Sequence, residues 1–157
     1  MLQSINPVNE DLIKEYKEHT GTEIGEIVNS SDKAFKEWQS FDFGRRATLL
    51  SRAGDILRNN KDKYAELMTR EMGKPIAGAR AEVEKCAWVC DYYAENGESF
   101  LSDEMIETDA QKSFVTYEPL GTVLAVMPWN FPFWQVFRFA VPGLMAGNAG
   151  LLKHASN

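Results

Sequence analysis

With 157 residues, 44% of them hydrophobic and 25% charged, the chain has an ordinary globular composition and can bury about two thirds of its unfolded surface. A net charge of −6 with no run of basic residues excludes a nucleic-acid partner, because nothing would neutralise phosphates. The first residues have no basic stretch followed by an apolar core, and Cys86 and Cys90 are too few for a disulfide framework, so a cytoplasmic protein is expected.

Residues 2–7 read as a short extended segment closed by the turn residues Asn6, Pro7 and Asn9, and residues 12–16 as a strand. Thr20-Gly21-Thr22-Glu23 matches a capping box, so a helix follows, with Ile24, Ile27, Val28, Phe35 and Trp38 on one face. A second helix is predicted over residues 44–59, burying Leu49, Leu50, Ala53, Ile56 and Leu57. A third, over 62–72, stops at Gly73. Pro75 opens a fourth, where a first-turn proline costs nothing. Its stripe is Ile76, Ala79, Val83, Cys86, Cys90, Tyr93 and Gly97, which makes both cysteines core residues in place of metal ligands.

Beyond Leu101 the period changes. Residues 105–108 and 113–117 read as two strands joined by a polar turn. Residues 121–127 form a continuous apolar run, as in a fully buried parallel strand. A helix over 133–146, a turn at Gly147-Asn148 and a strand over 150–153 complete a βαβ unit. The apolar stretch 120–152 is interrupted by Pro128, Pro132 and Pro142. Its longest proline-free piece, 133–141, holds Gln135 and Arg138, so it reads as protein core and no membrane span is expected.

Pro128-Trp129-Asn130-Phe131-Pro132 sits just past the C-terminal end of a parallel strand, where α/β proteins place ligands. Two prolines fix the bend around Asn130, whose amide is either a turn former or a neutral donor for a developing oxyanion. Lys153 ends the next parallel strand near the same edge. Its ammonium is either a solvated charge or a donor to ribose hydroxyls and phosphate.

Taken with Ile5-Asn6-Pro7, Glu71-Met72-Gly73-Lys74-Pro75, Tyr117-Glu118-Pro119-Leu120-Gly121 and Gly147-Asn148, these segments resemble the aldehyde dehydrogenase superfamily in order and spacing over the whole chain. The resemblance implies an α/β fold: an N-terminal helical segment, a small β oligomerisation arm and the start of a Rossmann-like parallel sheet. Residues 1–103 would be strands and helices of the cofactor-binding domain, 104–119 the arm, and 120–157 the first, incomplete βαβ unit. It implies an NAD(P)-dependent enzyme in which a cysteine thiolate attacks the aldehyde and Asn130 holds the oxyanion, a donor worth roughly 10²–10³ in rate. Met127, Pro128 and Trp129 would line the cofactor and Lys153 would grip the adenosine ribose. The complete enzyme would be a homo-oligomer, a dimer or tetramer.

Many NAD-specific members carry a Glu three residues after this Lys. The position here is Ser156, whose hydroxyl does not repel a 2′-phosphate, so use of both NAD and NADP, with NADP favoured, is expected. Arg138, eight residues after Asn130, is the sole charge in the stretch 120–152. It resembles the Arg with which succinate-semialdehyde dehydrogenases hold the distal carboxylate of their substrate, with Phe131, Trp134 and Gln135 as tunnel wall. A salt bridge to a neighbouring element or subunit is the alternative. By the same resemblance the nucleophilic Cys, general-base Glu and Gly-rich segment lie beyond Asn157. The chain alone is therefore expected to be inactive, either as a truncated enzyme or as a short non-catalytic relative acting by oligomerisation or partner binding.

Overall fold

The computed structural model describes residues 1–155; Ser156, with the cofactor contact expected of it, lies outside the described residues. Three two-stranded sheets and five helices follow one another along the described chain. Strand β1 (Leu2–Ile5) pairs antiparallel with β2 (Leu12–Tyr16), and Ser4 Oγ donates to Glu71 Oε1 at 2.6 Å, tying this hairpin to the third helix.

Helix α1 (Gly21–Trp38) begins with the expected reciprocal cap. Glu23 N–H donates to Thr20 Oγ1 at 3.2 Å and Thr20 N–H to Glu23 Oε2 at 2.6 Å. These bonds from the Thr20 backbone and side chain hold the Glu23 carboxyl below its ordinary range. Only the C-terminal part of the apolar face of α1 is covered. Phe35 and Trp38 are half-buried, whereas Ile24, Ile27 and Val28 are exposed.

Helices α2 (Phe43–Asn59), α3 (Lys61–Met72) and α4 (Ile76–Phe100) pack on one another, and α4 also contacts α5 (Trp134–Met145). Leu50, Leu57, Ala65, Met68, Ala79, Val83, Cys86, Cys90, Val141 and Met145 form a single buried cluster. Leu49 and Ile56, expected inside, are exposed, because α2 meets α4 along one narrow stripe and both flank it. Ile76 likewise starts α4 outside the core. Helix α3 ends at Gly73, whose φ of 71° places it in the left-handed region. Pro75 stands at the N-cap of α4, one residue before the first helical position expected of it. A Cβ on Gly97 would strike the Met145 side chain, so glycine is what lets α4 and α5 approach.

Strands β3 (Glu104–Met105) and β4 (Phe114–Val115) form an antiparallel pair much shorter than the sequence pattern suggested, with every residue exposed. β5 (Thr122–Val126) and β6 (Ala149–Lys153) are parallel neighbours joined through α5, with Thr122 opposite Ala149 and Val126 opposite Lys153. Asn148 Oδ1 accepts from the N–H groups of Leu120 and Gly121 at 2.7 and 3.1 Å, locking the start of β5 to the start of β6. Trp38 Nε1 donates to the Leu144 carbonyl at 2.8 Å and holds α1 against this unit. β5 is not the fully buried strand its composition predicts. Ala125 is buried, whereas Leu124 and Val126 are 64% and 65% exposed, because among the described residues the main cover on this sheet comes from α1 and α5.

Candidate functional site

The register of the parallel pair decides where the chemistry-bearing residues lie. Val126 faces Lys153 across the ladder, and Met127 N–H donates to the Lys153 carbonyl at 3.0 Å, so both strands end at one edge. The chain leaves β5 there through Pro128, Trp129, Asn130, Phe131 and Pro132, then turns into α5. Lys153 and Asn130 are exposed, and neither side chain takes part in a hydrogen bond or ion pair among the described residues. Pro128, Trp129 and Phe131 are exposed beside Asn130, while Met127 is half-buried.

This donor set suits an anionic, hydroxyl-rich ligand. An ammonium and an amide, both unengaged among the described residues, share one strand edge with an exposed indole and phenyl ring, offering hydrogen bonds, charge and flat apolar surface together.

On α5, Trp134 and Gln135 are half-buried and lie on the first turn. Arg138 is exposed and forms no ion pair among the described residues. A salt bridge to a neighbouring element of the same chain thus has no partner there. Phe131 and Trp134 border a crevice of about 180 Å³ whose other walls are Gly78, Ala81, Glu82 and Lys85 of α4.

Two lysines cap its aromatic walls, Lys74 Nζ at 4.0 Å from the Phe131 ring centroid and Lys85 Nζ at 3.9 Å from that of Trp134. The sequence reading missed Glu82, Lys74 and Lys85 as neighbours of this loop. Glu82 on the buried side of a helix was the one available signal, since an acidic residue on a core stripe needs a partner.

The cysteines lie elsewhere. Cys86 and Cys90 are buried in the helical core, and burial pushes their thiols up to about 12 and about 11. They are protonated and unreactive at neutral pH. Among the described residues no group of His, Cys, Asp and Glu is arranged to hold a metal ion, and no helix is long and apolar enough to cross a membrane.

A family model described as the aldehyde dehydrogenase family matches residues 1–157. A probable succinate-semialdehyde dehydrogenase [NADP(+)] of Synechocystis is 50% identical over 156 residues, covering 99% of this chain and 34% of that protein. The succinate semialdehyde dehydrogenase [NAD(P)+] Sad of Escherichia coli is 44% identical, with 98% of this chain and 33% of its own length covered. The fold superposes on the crystal structure of succinic semialdehyde dehydrogenase from Streptococcus pyogenes in complex with NADP+. The TM-score is 0.94 at 35% identity, over 99% of this chain and 34% of that one. The chain therefore spans about a third of the length of these relatives.

Proposed function

The chain belongs to the aldehyde dehydrogenase family, and from that premise we propose that it is the N-terminal third of an NAD(P)-dependent enzyme that oxidises a short semialdehyde, succinate semialdehyde, to the acid. The observation that carries this reading is the shared strand edge. Lys153 and the Asn130 loop leave neighbouring parallel strands at the same end, with ammonium and amide both unengaged among the described residues.

In this reading Asn130 donates its amide N–H to the oxyanion that forms when a thiolate adds to the aldehyde carbon. Met127, Pro128 and Trp129 line the cofactor, Lys153 donates to the adenosine ribose and attracts a phosphate, and Ser156 accommodates a 2′-phosphate. When bound, the nicotinamide accepts the hydride. Phe131, Trp134 and Gln135 wall the substrate tunnel, and the exposed Arg138 guanidinium holds the distal carboxylate. The named activities of the Synechocystis, Escherichia coli and Streptococcus pyogenes relatives support both the substrate and a cofactor preference that includes NADP.

The test is a graft of residues 1–157 onto the remaining two thirds of the Synechocystis relative. The graft should oxidise succinate semialdehyde with NADP at least as well as with NAD. Asn130→Ala should lower kcat by about 10²–10³. Arg138→Leu should raise KM for succinate semialdehyde and leave a neutral aldehyde of similar length unaffected. Equal effects on both aldehydes, or a far tighter grip on NAD than on NADP, would remove the corresponding assignment.

A second reading, a short relative that acts by association, draws on the open β3–β4 hairpin, where Met105 is 62% exposed beside Phe114 and Val115. It requires the 157-residue chain to be a defined, cooperatively unfolding oligomer by sedimentation and thermal melting. A monomer or a polydisperse aggregate excludes it.

A further inference from the structure

Helix α5, which follows the Asn130 loop, lacks a cap of its own. Its N-cap position is Phe133, which has no side-chain acceptor, so the first N–H groups of the helix need a partner from elsewhere. Glu82 of α4 supplies it, 51 residues back. Its Oε1 accepts from the N–H of Phe133 at 3.0 Å and of Trp134 at 2.9 Å. A carboxylate at a helix N-terminus is also favoured by the helix dipole.

Glu82 is only 4% exposed, and a buried carboxylate is costly unless it is paired. Its Oε2 meets Lys74 Nζ in an ion pair whose side chains are 2% and 12% exposed. That same ammonium lies over the ring of Phe131, the residue next to Asn130. The Asn130 loop is thus anchored at both ends. Met127 is tied to Lys153 on one side, and Phe131, Phe133 and Trp134 are tied to the Lys74–Glu82 pair on the other. Asn130 itself makes no hydrogen bond among the described residues, so where its amide points depends on these anchors.

We propose that Glu82 and Lys74 are positioning residues for Asn130: a buried ion pair that caps α5 and fixes the angle at which the Asn130 amide meets the reacting oxygen. This rests on the reading of Asn130 given above. The logic is geometric, since a donor displaced by about 1 Å costs up to about 10²-fold in rate while binding is little altered. A carboxylate that merely stabilised the fold would lower melting temperature without singling out the step Asn130 assists.

In the grafted enzyme, Glu82→Ala should lower kcat at least tenfold and leave KM for NADP within twofold. In an Asn130→Ala background the same substitution should change kcat less than twofold, while its lowering of Tm persists. An equal fall in both backgrounds overturns the proposal, as does an unchanged kcat in the first. Should Glu82→Ala prevent folding, the pair E82Q/K74M keeps an acceptor for both amides and removes both buried charges together. It should lower kcat at least threefold with Asn130 present and less than 1.5-fold without it, and equal effects again overturn the proposal.

Amide exchange supplies a readout independent of activity. The Phe133 and Trp134 N–H groups should exchange at least tenfold faster in Glu82→Ala than in wild type, with Glu82→Gln between the two. Unaltered exchange removes the tether. An inactive wild-type graft whose Phe133 and Trp134 amides still respond to Glu82 would refute the functional reading and leave the tether standing.

Discussion

The helical trio α2–α4 and the β5–α5–β6 unit are built from similarly apolar sequence, yet they use it differently. In the trio each helix turns one stripe toward its neighbours, and Leu50, Leu57, Ala65, Met68, Val83 and Cys86 are almost fully buried. In the parallel unit, Leu124, Val126 and Leu152 are 64%, 65% and 54% exposed, since few elements pack on the sheet they belong to. Periodicity alone suffices to close a helical core, because the elements that cover one another are adjacent in sequence. A parallel sheet needs cover from helices further along a chain. Burial energy in these 157 residues is therefore concentrated in the trio, while the residues proposed for chemistry sit on the unit with open faces.

The sharpest way to break this comparison is to delete equivalent apolar volume in each region. Met68→Ala empties a site that is 2% exposed and should cost about 2–5 kcal/mol, read as a fall in urea midpoint. Leu124→Ser, on the open strand, should stay within about 0.5 kcal/mol of wild type. If the two cost the same, the trio is not the stability centre of the chain and the contrast fails. Native-state hydrogen exchange sharpens the same point without mutation. Amides of α4 should be the slowest and those of β5 and β6 markedly faster.

An intermediate effect comes from the buried thiols of the trio. Burial raises Cys86 to about 12 and Cys90 to about 11, from an ordinary value of 9.0. A folded-state pKa above the unfolded one means that stability is complete below pH 9 and falls as pH rises toward 11–12, because only the unfolded chain ionises its thiols readily over that range. The urea midpoint should decline across that window, and Cys86→Ala/Cys90→Ala should flatten the decline. At pH 8 a thiol reagent should label neither cysteine until urea unfolds the trio. Rapid labelling in native buffer would show that α4 opens far more often than its packing implies.

What could be read from the sequence follows the same division. Thr20 with Glu23 and Gly73 with its left-handed φ are signals carried within four residues, and they placed helix ends within about one residue. The strand-end location of Asn130 and Lys153 was legible because an apolar run, a helix and a second run already imply a parallel crossover. Leu49 and Ile56 were misplaced, since apolar character does not say how wide a stripe the neighbouring helix will cover. The hairpin strands at 104–105 and 114–115 were overextended, because β propensity marks where a strand is allowed and pairing decides where it stops. Glu82 was invisible as a cap for α5, because its partners lie 51 and 52 residues away and no local pattern links them.

The smallest expected effect probes a helix that belongs to neither region. α1 leans on β6 and exposes Ile24, Ile27 and Val28, so its capping box should contribute a larger share of its local stability than any cap in the trio. Thr20→Ala removes the acceptor for Glu23 N–H and should cost about 1 kcal/mol, seen as faster exchange of α1 amides with α4 unaffected. The other half of the box, in which Thr20 N–H donates to the Glu23 carboxylate, is the largest cause of the lowered Glu23 pKa, so that half is present above the ordinary carboxylate range and lost as pH falls through the lowered value. Fraying of α1 should therefore grow in wild type as pH falls below the ordinary carboxylate range, and Glu23→Gln should weaken that pH dependence. If acidification instead loosened α4 before α1, the open helix would not be the weak point its exposure suggests.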